Sequence, residues 1–460
     1  MDKPKTYKIE SSFRDPSGYI FKKNNELLRQ INLIYKEDYD FLLSSGLYND
    51  LVKNSYLISH KETNFAGLSP ENAYKVIKPE VVPFISYPYE WCFSQLKNAA
   101  LLTLKIEKKA LEYKMTLKDA TAYNIQFLRG QPIFIDTLSF EKYEEGTPWV
   151  AYKQFCQHFL APLLLMSKVD IRLNKLAEIF IDGIPLDLAS SLLPFRSKFS
   201  FSILSHIHLH AMSQNYFADK TVKTNKYKVS RTSTFGLIDN LESVIKKLKW
   251  KPAGSEWAEY YQITNYSSAA FKQKKMIISD FLDKIKPKVV WDSGSNNGIF
   301  SRIASDHKIL TISFDVDPAA VEKNYIESLK KKETFLLPLI LDLTNPSKSI
   351  GWQNKERMSF IERGPADMAF SLALIHHLAI SNNLPFEKIA SFYNQICKSL
   401  VVEFIPKDDS KVQKLLATRK DIFTDYTQEN FEESFSQYFK IIDRKKIKGS
   451  KRILYLMVKK

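Results

Sequence analysis

The 460-residue chain predicts an α/β carboxyl-terminal domain on a mostly parallel sheet, preceded by an amino-terminal domain of α+β class. Three observations carry that reading. From residue 288 onward, apolar runs of strand length alternate with polar, helix-forming stretches, the rhythm of β-α-β units. The first run, Val289-Val290-Trp291, ends at Asp292 and passes into a turn that holds Gly294 and Gly298. The last two runs, Tyr438–Ile447 and Arg452–Val458, meet across Gly449-Ser450, a hairpin signal that sets one strand antiparallel to the others.

Each element follows in order. A buried strand that ends in an acid and opens through glycines into a helix lets backbone N–H groups approach a ligand where a Cβ would collide. The second run, Ile309–Phe314, stops at Asp315, where a nucleotide-binding βαβ unit places the carboxylate that holds a ribose. A dinucleotide fingerprint counted from Gly294 needs glycine at 296 and 299, and this chain has Asn296 and Ile299. The pyrophosphate reading therefore fails. The third run, Phe335–Leu341, ends in Asp342, and the fourth lies within Ala366–Leu378 and includes Ser371. The fourth leads to Leu374-Ile375-His376-His377-Leu378, and the fifth, Leu400–Ile405, carries Glu403.

What remains of the first turn is D-x-G-x-x-x-G over Asp292–Gly298, which resembles motif I of the class I S-adenosyl-L-methionine (SAM)-dependent methyltransferases. Asp342 resembles that family's acid for the adenine amino group, and the His-His-Leu after the fourth run resembles its fourth-strand motif. A carboxyl-terminal hairpin also resembles this family and not the dehydrogenases. Closer still is a bacterial group that includes nodulation-protein-like members, matched over Asp292–Ser301, Phe314–Val321, Leu337–Gly351, Arg363–Pro385 and Val402–Tyr426. Phe84–Trp91 and Thr121–Phe140 look like the same group. The resemblance implies a Rossmann-like, seven-stranded domain, since five runs and the hairpin's two make seven strands. It implies SAM as cofactor, with Asp292, Gly294, Asn296, Gly298, Asp315, Asp342 and Ser371 around it.

Methyl transfer from a sulfonium is an in-line displacement, so alignment of nucleophile, methyl and sulfur is the main task. A general base helps an alcohol or amine acceptor, and His376 and His377 lie just past the fourth strand, at the sheet edge where ligands sit. Adjacent residues at a helix start point differently, so one of them at most faces a site. Glu403 is the further candidate. Tyr260, Tyr261 and Tyr266 stand ready either to roof the cofactor or to pack.

Composition bounds the rest. Hydrophobic residues at 44% and charged residues at 26% are ordinary globular values, so both halves can bury cores. Cys92, Cys156 and Cys397 lie far apart without metal-ligand spacing, which fits reduced thiols and a cytoplasmic location. The amino terminus lacks an apolar signal core, and runs such as Phe159–Met166 are too short to span a bilayer. A net charge of +16 could draw RNA, an anionic lipid face or an acidic carrier. Basic residues crowd Lys223–Arg231, Lys246–Lys251, Lys272–Lys288 and Arg444–Lys460. Solvated lysine-rich helices are the preferred explanation, because aromatics are not visibly interleaved there as a stacking platform requires.

Three segments are expected: an amino-terminal domain over 1–218, a linker and lead-in helix over 219–254, and the methyltransferase-like domain over 255–460. In the first, a hairpin over Gly18–Ile31, a helical pattern over Tyr39–Leu51, strands at Tyr74–Ile77 and Val82–Ser86 and a long helix over Glu90–Tyr113 precede Asp119 and Asn124. This D-x-x-x-x-N, followed by Ile133-Phe134-Ile135-Asp136, resembles the catalytic loop and metal-binding Asp of protein kinases. Leu117 stands where those have His, and no glycine-rich phosphate loop precedes the hairpin. Turn-capping roles for Asp119 and Asp136 stay open beside it. Three function classes follow: a SAM-dependent methyltransferase, a bifunctional enzyme that also binds ATP and Mg²⁺, and a non-catalytic SAM- or RNA-binding protein. The acceptor, whether small molecule, saccharide or RNA, is not legible.

Overall fold

Residues 6–212, 228–252, 267–417 and 420–460 are described in the computed structural model of the chain. It divides into two units, Met1–Lys251 with Ile350–Arg357, and Pro252–Ser349 with Met358–Lys460.

The first unit begins with an antiparallel sheet of β1 (Thr6–Lys8), β2 (Gly18–Lys23), β3 (Glu26–Asn32), β4 (His60–Thr63) and β5 (Ala73–Pro79), in the order β1-β2-β3-β5-β4. Asn24 and Asn25, both at positive φ, form the tight turn between β2 and β3, the geometry a two-residue hairpin needs. The helical pattern after β3 splits at Gly46 into α1 (Lys36–Ser44) and α2 (Leu47–Lys53). Val82–Ser86, expected as a strand, forms none: Pro83 interrupts it, and the Ser86 N–H donates to the Gln126 side chain at 2.9 Å.

Next comes α3 (Phe93–Glu112), closed at its start by the Gln95 side chain, which accepts from the Cys92 N–H at 2.9 Å. Two short antiparallel pairs follow, β6 (Met115–Leu117) with β9 (Phe140–Lys142) and β7 (Ile125–Leu128) with β8 (Gln131–Phe134). Glu107 on α3 ties β6 in place, accepting from Thr116 Oγ1 at 2.7 Å and from the Leu117 N–H at 2.6 Å.

Burial pushes the Glu107 carboxyl from the ordinary 4.5 up to about 8. The folded state therefore holds a proton that the unfolded chain releases earlier. Stability from this group is complete below about pH 4.5 and is lost as pH rises to about 8. Glu107→Gln is expected to abolish that decline, which amounts to roughly 5 kcal/mol at about 1.4 kcal/mol per unit. Denaturant unfolding of both proteins at pH 5 and pH 9 checks it, since parallel pH dependences would contradict the assignment.

Helix α4 (Arg231–Lys247), expected as a lead-in to the second half, packs within the first unit, where Lys108 of α3 pairs with Asp239 and Glu242. Residues 219–227 and 253–254 of the expected linker lie outside the described residues. The segment Ile350–Arg357 also belongs to the first unit. Arg14 donates to the buried Glu356 carboxylate through Nη2 at 2.8 Å and Nε at 3.0 Å.

The second unit runs α5 (Ser268–Ile285), β10 (Val289–Ser293), α6 (Ser301–Asp306), β11 (Leu310–Asp315), α7 (Pro318–Lys331), β12 (Leu336–Ile340), β13 (Ala366–Ser371), α8 (Phe386–Ile396), β14 (Cys397–Phe404), α9 (Gln428–Ser436), β15 (Phe439–Lys446) and β16 (Ile453–Lys459). Its seven strands lie in the order β12-β11-β10-β13-β14-β16-β15, parallel except for β16, which is antiparallel to both neighbours. The central runs are apolar along their whole length because helices cover both faces of a parallel sheet. Pro338 is tolerated in β12 because β12 is an edge strand, paired only with β11. The order reverses between β10 and β13, and a crevice opens outside the strand ends at such a point.

Candidate active site

At the carboxyl end of β10 the chain turns sharply, and hydrogen bonds stitch that turn to the end of β11. The Ser295 N–H donates to the Phe314 carbonyl at 2.9 Å. The Asn296 N–H donates to Asp315 Oδ2 at 2.7 Å, while the Asp317 N–H donates to Oδ1 of the same carboxylate at 2.9 Å. Gly294 sits at φ +70°, and a Cβ there would come within 3.1 Å of the Leu374 side chain. Only glycine takes that conformation at no cost while leaving the space beside it open.

That space is a cavity of about 300 Å³ lined by residues from four strand ends. Asp292, Gly294 and Asn296 come from the β10 turn, Asp315 and Val316 from β11, Leu341 to Thr344 from the end of β12, and Leu372 to Leu374 with His377 from the end of β13. Its surface is mostly apolar, with aliphatic side chains at Val316, Leu341, Leu343, Leu372, Leu374 and Leu378 and carboxylates at Asp292, Asp315 and Asp342. Burial raises two of them, Asp292 to about 7 and Asp315 to about 6. Ser301 Oγ donates to Asp292 at 2.6 Å and partly offsets the effect. Burial lowers the His377 imidazole to about 4, so at neutral pH it is uncharged.

The structure thus gathers Asp292, Gly294, Asn296, Asp315, Asp342 and His377 around one space, and leaves four other expected residues off its wall. Gly298 is at φ +76° for packing: a Cβ there would meet the Asn324 side-chain amide at 2.5 Å. Ser371 is fully buried inside β13 beside the Tyr393 hydroxyl. His376 is buried with its ring centroid 4.1 Å from that of His377 and is not part of the cavity wall, consistent with two successive residues at a helical start facing different ways. Glu403, expected as a candidate base, is fully buried, with Lys274 Nζ at 2.7 Å and Arg452 Nη1 at 3.7 Å. A carboxylate held between two cations is a structural ion, poorly placed to take a proton. Tyr260, Tyr261 and Tyr266 lie outside the described residues.

Lys274 is the residue that sequence reasoning missed. It is 1% exposed, lines the cavity and holds its ammonium 4.2 Å from the Phe300 ring centroid. A signal was available. Ala270, Lys274, Ile277, Ile278, Phe281 and Leu282 form one buried stripe at helical spacing, and Lys274 is the charged residue in it. A lysine on an apolar face calls for a buried partner.

In the first unit, Asp119, Asn124 and Asp136 do lie close together. The Thr121 N–H donates to Asp119 Oδ1 at 2.9 Å, and Asn124 Nδ2 donates to Ser139 Oγ at 3.2 Å. Asp136 accepts from Ser139 Oγ at 2.5 Å and from the Leu138 N–H at 3.1 Å, and forms an ion pair with Arg29 of β3. Burial would raise the Asp136 carboxyl, but Arg29 and these donors outweigh it and hold the pKa below the ordinary value.

The strand order, with its antiparallel penultimate strand and a cavity at the carboxyl edge, defines the second unit as a Rossmann-like domain of the class I methyltransferase type. No family model matches the chain. It is 34% identical to the nodulation protein NoeA of Rhizobium meliloti (strain 1021) over 460 residues, covering 98% of this chain and 96% of that protein, and it belongs to that family. Among solved structures, the magnesium protoporphyrin IX methyltransferase of Synechocystis PCC 6803 with bound S-adenosylhomocysteine (SAH) is 14% identical, covering 44% of this chain and 93% of its own, at a TM-score of 0.32. The N-methyltransferase NodS from Bradyrhizobium japonicum WM9 is 10% identical, covering 42% and 98%, at 0.30. The bifunctional kinase-methyltransferase WbdD is 13% identical at 0.29, and the match spans 47% of this chain and about half (46%) of WbdD. Scores this low leave the fold to be read from the strand order itself. No helix among the described residues is long and apolar enough to cross a membrane.

Proposed function

We propose that the second unit binds SAM in the cavity at the β10 turn and transfers its methyl group to an acceptor hydroxyl or amine. The observation that carries the reading is the convergence of Asp292 and Gly294, Asp315, Asp342 and His377 from four successive strand ends on one space. The residues fit the cofactor. The bare backbone of Gly294 leaves room that any Cβ would fill, Asp315 offers a carboxylate for ribose hydroxyls, and Val316 and Leu343 give an aliphatic wall for a flat base. Lys274 supplies a cation for an amino-acid carboxylate.

Bound SAM supplies an electrophilic methyl group on a sulfonium. The chain's contribution is to orient and to exclude water: the aliphatic wall dries the space, and the stitched β10–β11 turn holds the reacting ends in place. His377, neutral at physiological pH, accepts the proton that an acceptor O–H or N–H sheds as the methyl arrives.

Asp315→Ala is expected to weaken SAH binding by about 1.5–3 kcal/mol, the value of charge-assisted bonds to a diol. Asp317→Ala is expected to weaken it far less, because Asp317 Oδ1 caps α7 by accepting from the Ala319 N–H at 2.9 Å. Calorimetric titration of SAH into both variants decides, and a larger loss at Asp317 overturns the assignment. If the wild type takes up neither SAM nor SAH, the whole reading falls.

We infer further that the first unit does not transfer phosphate and serves acceptor binding or the shape of the site. Asp136 has its oxygens engaged by Arg29, Ser139 and the Leu138 N–H, and Leu117 replaces the expected His. Positioning supplies most of the catalysis in phosphoryl transfer, and no glycine-rich loop is present to provide it. ATP with Mg²⁺ is expected to leave the melting temperature unchanged and to undergo no hydrolysis. Turnover of ATP by the wild type, lost in an Asp119→Asn, Asp136→Asn double variant, would make the chain bifunctional.

A further inference from the structure

We propose that the first unit carries a peripheral docking surface for an anionic lipid membrane, formed by residues 192–212. The surface is independent of the cofactor reading. Phe195, Phe199 and Phe201 are 69%, 79% and 79% exposed, and Leu192, Leu209 and Met212 are exposed beside them in sequence. The rings of Phe195 and Phe199 touch edge to face with centroids 5.6 Å apart, and Phe195 shares an open groove with Met212. Single exposed apolar side chains are ordinary on a protein surface, whereas two exposed phenylalanines in ring contact, with a further exposed phenylalanine two residues on, mark an interaction site.

These phenylalanines are held outward by a firm base. Leu193, Ser197, Ile203, Ile207 and His208 of the same segment are buried. The two ring nitrogens of His208 bind Ser190 Oγ at 2.7 Å and Ser197 Oγ at 2.8 Å, and the Ser197 N–H donates to the Pro194 carbonyl at 2.8 Å. A segment fixed in this way presents its rings as a wedge and loses little conformational entropy when they are covered.

Charge selects the occupant. Arg196 and Lys198 alternate with the aromatics in Phe195-Arg196-Ser197-Lys198-Phe199, both are exposed, and the Lys198 ammonium lies 5.4 Å from the Phe195 centroid. The sole carboxylate of residues 186–212 is Asp187, on the groove wall, and the whole chain carries +16. Rings that enter the acyl boundary while neighbouring cations meet lipid phosphates form the pattern of interfacial binding. A protein partner with an apolar face would draw nothing from the two cations.

Co-sedimentation of the full chain with vesicles tests this, using phosphatidylcholine alone and phosphatidylcholine with about a third phosphatidylglycerol. The wild type is expected to bind the anionic vesicles, less so as salt rises, and to stay in solution with the neutral ones. Phe195→Ser, Phe199→Ser, Phe201→Ser is expected to weaken binding about tenfold or more with an unchanged melting temperature. Should that variant fail to fold, Arg196→Glu, Lys198→Glu replaces it and should abolish the preference for anionic lipid. The proposal is overturned if the wild type ignores anionic vesicles or if the folded variants bind them equally well. It is likewise overturned if the wild type is a dimer that the serine variant dissociates, for then a second copy covers the patch.

Discussion

Glu403→Ala is expected to destabilise the second unit by about 3–5 kcal/mol, the cost of breaking a buried ion pair from one side. Lys274 Nζ lies 2.7 Å from Glu403 Oε2, and both side chains are almost wholly removed from water. The group extends to Arg452, whose Nη1 lies 3.7 Å from Glu403 and whose Nε bonds Asp409 at 2.8 Å. Loss of the carboxylate removes an ion-pair partner from a Lys274 ammonium that is almost wholly buried. A Lys274→Met, Glu403→Leu double variant, which removes both charges and keeps the volume, is expected to recover most of the loss. Chemical denaturation of the wild type, both single variants and the double variant closes the cycle. A Glu403→Ala protein within about 1 kcal/mol of wild type would show that the pair does not hold α5 to β14.

The second large effect falls on the cofactor. Gly294→Val is expected to lower SAH affinity about 100-fold or more, a loss of about 2.7 kcal/mol or above. Two causes act together. A β-branched residue is strained at φ +70°, and its Cβ would press on Leu374 at 3.1 Å while its methyl groups enter the cavity. Gly294→Ala, with one carbon and no branch, is expected to fall between the two. Circular dichroism and the melting temperature separate a blocked cavity from a misfolded chain. A folded Gly294→Val protein with wild-type SAH affinity would mean that the cofactor does not lie against this turn.

Much of the second unit was legible in the chain. Parallel strands buried on both faces are largely apolar, so Val289–Trp291, Ile309–Phe314 and the run within Ala366–Leu378 announced themselves. Acids at the strand ends, Asp292, Asp315 and Asp342, were equally plain, because a carboxylate that closes an apolar run stands out from it. The first unit was harder to read. Its strands are short and antiparallel, and Val82–Ser86 had strand composition but forms no strand, since Pro83 interrupts it and Gln126 takes the Ser86 N–H.

Local pattern by itself therefore determined the β-α order, the glycine turn, the closing hairpin and which strand ends carry acids. Those features depend on residues within a few positions of one another. Only the tertiary structure decided which polar groups face the cavity. His376 and His377 are equivalent in sequence, and the fold turns one inward to the core and the other to the cavity wall. Glu403 looked like a free acid until β14 set it against Lys274, 129 positions earlier in the chain, and Arg452. Gly298 looked like part of a ligand turn until α7 brought Asn324 against it. The side-chain environment of a buried charge or a tight glycine is set by elements far apart in the chain, and no spacing rule reaches across that distance.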